Sequence, residues 1–157
     1  YIPLIRYFSE IKKIKEAIES YAIKKNIRVK GFLGKERSWT NDLEKARKKT
    51  GLIKVKFNKE TEKQFDDFIK ECRKENIQLI LTYTPEFIEG HSFVMNRSKI
   101  IEFYKKKSID YNIPFLDYSN DSICKRKELF YNVLHLNKKG ATIFSNRLAN
   151  DLKNIIK

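Results

Sequence analysis

The chain has 157 residues, 41% of them hydrophobic and 13% aromatic, which suffices for one sizeable core and is not the composition of a disordered segment. Its formal net charge is +14, concentrated toward the start: Lys and Arg stand against Asp and Glu 17 to 7 in residues 1–60, 6 to 7 in 61–100 and 11 to 6 in 101–157. No apolar run approaches the roughly 20 residues that cross a bilayer, no signal-peptide pattern opens the chain, and Cys72 and Cys124 lack any metal-ligand or CxxC spacing.

Taken in chain order, residues 4–23 place Leu4, Phe8, Ile11, Ile18 and Tyr21 on one side, which predicts an amphipathic helix. NIRVKGFLG (26–34) follows as a short extended piece and turn, with Val29 and Phe32 as its apolar residues. A second helix is expected from Asn41, with Glu44 completing a capping box, to Thr50-Gly51. GLIKVKFN (51–58) alternates apolar and basic residues, as an edge strand does. Asn58 then caps a helix carrying Phe65, Phe68, Ile69 and Cys72, where Cys72 packs as a small apolar residue. NIQLILTYTP (76–85) is the clearest strand, apolar enough to be buried on both faces of a parallel sheet. Asn96 is expected to cap the next helix, NIPFLDY (112–118) forms a second buried strand, and a last helix starts near Lys138 with Ala141, Phe144, Leu148, Leu152 and Ile155 inward.

Helix–strand–helix–strand–loop–helix over the C-terminal two-thirds predicts an α/β sandwich built on a parallel sheet. One domain is expected over residues 1–157, with a basic, helix-rich part at 1–57 and an α/β core at 58–157. Parallel sheets bind ligands beyond the carboxyl ends of their strands. That rule points to Tyr83–Glu86, Asp117–Asn120 and the loop of His135, three segments expected to converge on one rim, with Thr84, Asp117 and Asn137 as candidates for binding substrate. Asn137 is a good N-cap for the last helix, and Gly140 lies in its first turn, where a missing side chain lets another backbone or a ligand come close.

His135, just ahead of that helix, is either a structural histidine in a turn or a catalytic base. HLNKKGATIFSNRLA (135–149), preceded by FLDYS (115–119) and LILTYTPEF (79–87), resembles the C-terminal half of the SGNH/GDSL hydrolases, bacterial members above all, over roughly residues 58–157. The resemblance implies a three-layer α/β/α sandwich, flavodoxin-like in outline, and a Ser-His-Asp triad that hydrolyses or transfers acyl groups. By position, His135 matches the general base, and the residue three before it, an Asp in the family, is Asn132. A neutral amide orients an imidazole but does not stabilise its protonated form; Asp117 or Asp121 would have to supply the charge. The family's Gly-Asp-Ser block has no counterpart here, Ser92 in EGHSF being the nearest approach. With Tyr1 first and Met95 the single methionine, the chain reads as the C-terminal, incomplete part of such a domain, its nucleophile upstream or lost.

The implied reaction is ester hydrolysis or O-acyl transfer on a small ester or acylated carbohydrate, with no metal and no organic cofactor, in a bacterial envelope or secreted setting. The alternative is an inactive α/β domain whose basic first third binds an anionic polymer, or docks on an acidic partner such as the rest of the same protein. The plain reading of those lysines is a solubilised helix surface. KARKK (45–49) and KKK (105–107) lack the interleaved aromatics of a single-strand groove, so nucleic acid is not expected. Arg37 and Trp39 could line a sugar site, or Trp39 could anchor its loop.

Overall fold

The computed structural model describes residues 12, 15, 16, 18, 19, 34–49 and 52–156. Tyr1–Lys35 and Glu36–Lys157 are two compact units. In the first, Lys12, Lys15, Glu16, Ile18 and Glu19 are helical, and Lys15 pairs with Glu19 at 4.0 Å. The rest of the amphipathic helix predicted over 4–23, the extended piece with Val29 and Phe32, and the Thr50-Gly51 stop lie outside the described residues. The units divide at Lys35, ahead of the compositional boundary at residue 57.

In the second unit, α1 spans Asp42–Lys49 and α2 Lys59–Lys74. The Asn58 side chain accepts the Glu60 amide at 2.8 Å, the expected cap of α2. This helix stops at Asn76, whose φ of 55° takes the left-handed conformation that Asn tolerates better than branched residues, and the Ile77 amide closes back on the Cys72 carbonyl at 2.8 Å. The same device ends α3 (Arg97–Asp110): Asn112 has φ 46°, and the Ile113 amide donates to the Ser108 carbonyl at 2.9 Å. Each Asn-Ile pair leads into a strand, β1 (Leu81–Tyr83) and β2 (Phe115–Asp117), which pair in parallel from Leu81↔Phe115 to Tyr83↔Asp117.

The result is a mixed helix and strand fold with a short parallel pair. The long buried strand expected at 76–85 is paired over three residues only, because β2 is its one ladder neighbour among the described residues. Burial on both faces is likewise not seen, since Ile77 and Thr82 are exposed while α3 packs on the pair. GLIKVKFN makes a single bridge, Ile53 to Val94, and leaves Leu52, Ile53, Val55 and Phe57 exposed. Asn96 does not cap α3. Its amide takes the place of a strand neighbour, accepting the Val55 amide at 3.0 Å and donating to the Val55 carbonyl at 2.8 Å.

Beyond β2, two short 3-10 turns (Ser122–Lys125 and Lys127–Leu129) lead to a hairpin of β3 (Phe130–Asn132) and β4 (His135–Leu136), then to α4 (Lys138–Lys153). The core sits beneath them: Phe87, Tyr118, Ile123, Leu129, Phe130 and Phe144 are buried together, with Trp39 and Leu136 packed alongside. Tyr118 meets Phe144 edge-on at 5.0 Å, and Trp39 meets Phe87 the same way at 5.0 Å. Trp39 thus anchors its loop to the core. Both cysteines are buried free thiols.

Lys107 joins α2 to α3 from inside. It is 5% exposed, with its ammonium 2.6 Å from Asp66 and 3.1 Å from Glu62. Burial opposes its charge, but the bonds it donates to Asp66 and Glu62 outweigh that and raise its pKa; the bond accepted from Lys107 lowers that of Asp66. Lys107→Ala should cost about 2–3 kcal/mol in urea unfolding, below the usual range for a broken buried pair because both carboxylates reach solvent. Lys107→Met should cost less, since it keeps the packed stem. A depressed Asp66 stabilises fully above the ordinary carboxylate range and less as pH falls through its lowered value. A raised Lys107 stabilises fully below the ordinary lysine range and less as pH rises through its raised value. The gap between wild type and Lys107→Met should therefore be flat from about pH 5 to 9.5 and narrow on either side.

Candidate functional site

The hairpin sets Asn132 directly across from His135, with Val133 and Leu134 as the turn. Phe130 and Leu136 pair at its base and hold it to the core. At its tip the Asn132 Oδ1 accepts the Leu134 amide at 3.1 Å, a local bond that short polar side chains make in turns. That same oxygen lies 2.9 Å from Nδ1 of His135. A backbone N–H only donates, so the shared atom is the amide oxygen, and Nδ1 must carry the hydrogen in the bond to it. In the neutral ring Nε2 is then left with its lone pair, on an exposed residue.

The ring is also held from its face. Tyr131 stacks on it with centroids 5.4 Å apart and planes 15° from parallel, and the Arg37 guanidinium lies 5.2 Å from the centre of the Tyr131 ring. Three backbone bonds fix the hairpin itself: Thr40 to Tyr131 at 2.8 Å, Phe87 to Val133 at 2.9 Å, and Asn137 to Leu129 at 2.9 Å. Asn137 caps α4 as expected, its oxygen accepting the Gly140 amide at 3.0 Å while its nitrogen donates to the Glu128 carbonyl at 2.9 Å. Its second amide hydrogen faces the Phe130 carbonyl at 3.5 Å, so the side chain positions the helix and has both donors engaged.

The expected convergence at one rim is met by backbone and not by the remaining candidates. The turn after β1 touches the hairpin through Phe87 and Val133. Arg97 ties that turn to the end of β2, donating to Glu86 at 3.4 Å and to the Ser119 carbonyl at 3.1 Å. Thr84, however, lines a separate cavity of about 370 Å³ with Tyr83, Tyr104 and Phe115. Asp117 accepts the Ser119 amide at 3.0 Å and pairs with Lys105 at 3.3 Å. Burial would raise its pKa, but Ser119 and Lys105 hold it below the ordinary value. Asp121 accepts the Ile123 amide at 2.8 Å and pairs with Arg147. Among the described residues neither aspartate bonds to His135, so the missing negative charge is not supplied by them.

The other histidine behaves differently. Arg97 can only donate, so Nε2 of His91, 3.1 Å away, is its acceptor, and burial followed by the Arg97 charge lowers the His91 pKa. Of the serines, Ser92 donates to the Glu89 carbonyl at 3.1 Å from a 3-10 turn, and Ser119 is fully buried with its hydroxyl unpartnered. No serine among the described residues hydrogen-bonds His135. No group of three or more His, Cys, Asp or Glu stands together to hold a metal among the described residues, and no helix there is long and apolar enough to cross a membrane.

Tyr131 is not among the residues singled out in the sequence; its faint signal is its place one residue from Asn132 in a strand that needs aromatic packing. Arg37 is expected there only as a residue that could line a sugar site, and nothing local places it over Tyr131, nearly a hundred residues away. Comparison with family models, with curated proteins and with solved structures finds no match to this chain.

Proposed function

We propose that the chain carries the base-bearing half of an SGNH-type ester hydrolase or O-acyltransferase, with His135 as general base and Asn132 as its orienter. The observation that carries this reading is one exposed imidazole whose Nδ1 is pinned to Asn132 at 2.9 Å and whose Nε2 accepts no hydrogen bond among the described residues. Nε2 takes the proton from an attacking hydroxyl, Asn132 keeps the ring in the correct tautomer, and the imidazolium returns the proton to the departing alcohol. The reading requires a serine brought to Nε2 by polypeptide outside the described residues, and a wider parallel sheet to which β1 and β2 belong, covered by helices as an α/β/α sandwich. The order of helix and parallel strand from α2 to α4, ending in the HLNKKGA block, supports it.

The test is turnover of p-nitrophenyl acetate by the full-length protein. His135→Ala should lower kcat/KM by about a hundredfold, the low end of what a general base contributes. Turnover unchanged in that variant would reject the assignment.

A further inference from the structure

A cavity of about 640 Å³ opens beside the start of α4, lined by Arg37, Lys138, Lys139, Glu36, Glu128 and Ile143 among others. That volume suits a ligand the size of one or two sugar rings. Its two carboxylates are already engaged: Glu36 pairs with Lys138 at 2.6 Å, which lowers its pKa, and Glu128 pairs with Arg126 at 2.8 Å, its pKa lowered first by its own backbone amide and then by Arg126. Arg37 and Lys139 make no ion pair among the described residues. Of its polar side chains, Thr142 donates to the Lys138 carbonyl and Asn137 caps the helix, which leaves the Ser38 hydroxyl. What remains is therefore positive charge and one hydroxyl, set against the apolar wall of Ile143.

Side-chain stacking links the wall of this cavity to the imidazole, although neither Tyr131 nor His135 lines the cavity itself. Arg37, on its wall, covers the Tyr131 ring, and that ring stacks on His135; along the chain, His135 lies two residues before Asn137, itself on the wall. We infer that the cavity binds the oxyanion of an anionic ligand, a carboxylate or a phosphate, and that the ester presented to His135 is one bearing such a group on its saccharide or alcohol portion. The identity of the ligand as substrate rests on the function proposed above; binding of the anion does not. Arg37 holds the oxyanion through its planar fork, Lys139 adds a second charge, and the neutral body of the ligand lies on Ile143 toward Tyr131. This geometry selects acylated acidic saccharides, or acylated phosphate esters, over neutral esters.

The experiment is titration of the 15N-labelled full-length protein with sodium glucuronate, with inorganic phosphate and with glucose, at low salt, reading amide shifts. Glucuronate or phosphate should move the Arg37, Lys138 and Lys139 amides saturably, and glucose should not; whichever anion binds more tightly identifies the oxyanion. Arg37→Met with Lys139→Met should weaken that binding at least tenfold while leaving the rest of the spectrum in place. Shifts that fail to saturate, or that spread evenly over the many surface lysines, would overturn the inference. His135→Ala separates the two ideas. Anion binding retained while ester turnover is insensitive to His135 rejects the base and keeps the cavity; turnover that needs His135 without saturable anion binding rejects the cavity and keeps the base.

Discussion

Asn132→Asp should raise turnover of p-nitrophenyl acetate by about a hundredfold at neutral pH. The carboxylate has the shape of the amide it replaces, so it can accept both the Leu134 amide and the Nδ1 hydrogen of His135, now 3.1 and 2.9 Å from the Asn132 oxygen. What changes is charge. When Nε2 takes a proton the ring becomes cationic, and a negative neighbour stabilises that state where a neutral amide only orients it. In a buried serine-protease triad the reverse exchange costs roughly ten-thousand-fold. Here the hairpin tip is exposed, the local dielectric is higher, and a Coulomb term shrinks with it, hence the smaller figure. The gain must run through the imidazole, so Asn132→Asp combined with His135→Ala should turn over no faster than His135→Ala alone. A gain that survives in the double variant, or none in the single one, would separate Asn132 from the chemistry.

The elements that could be read from the chain are those set by local chemistry. Asn58 and Asn137 are caps because a short carbonyl side chain meets free amides wherever a helix begins, whatever surrounds it. Phe144 and Leu148 lie inward because their spacing puts them on one stripe of α4. Asn96 looks the same in sequence yet serves a different partner, since Val55, forty-one residues earlier, offers it a peptide group to clasp. The strands are shorter than their apolar runs for a related reason: apolar residues mark what can be buried, whereas pairing needs a neighbouring strand alongside. The charged groups of the site were the least legible. Lys107, Arg97 and Asp121 each find partners across the fold, at separations of 41, 22 and 26 residues, and no local spacing encodes such pairings. The Asn132–His135 pair was legible only through the resemblance of the HLNKKGA block to a known family; the structure shows that a two-residue turn suffices to build it.

Gly140→Ala should destabilise the unit Glu36–Lys157 by about 3 kcal/mol, although the same change in an exposed helix gains about 1 kcal/mol. A Cβ on Gly140 would stand 2.1 Å from the Leu129 carbonyl oxygen and 3.0 Å from both its carbonyl carbon and its Cβ. The obstacle is backbone, and Leu129 is fully buried in the core, so neither can swing aside as a flexible side chain would. That carbonyl also accepts the Asn137 amide at 2.9 Å, so moving the helix away to relieve the overlap breaks the bond that seats its first turn. Overlap therefore outweighs helix propensity, and thermal unfolding should shift down by roughly 10–15 °C. Lys139→Ala, on the adjacent exposed position, should change stability by no more than about 0.5 kcal/mol. A Gly140→Ala protein melting with the wild type would mean that α4 does not rest on Leu129. The stacking of helix start on Leu129 also fixes how far His135, five residues before Gly140, stands from the cavity at Arg37 and Lys139. For that reason any folded Gly140→Ala protein should lose ester turnover and glucuronate binding together, whereas His135→Ala loses only the first.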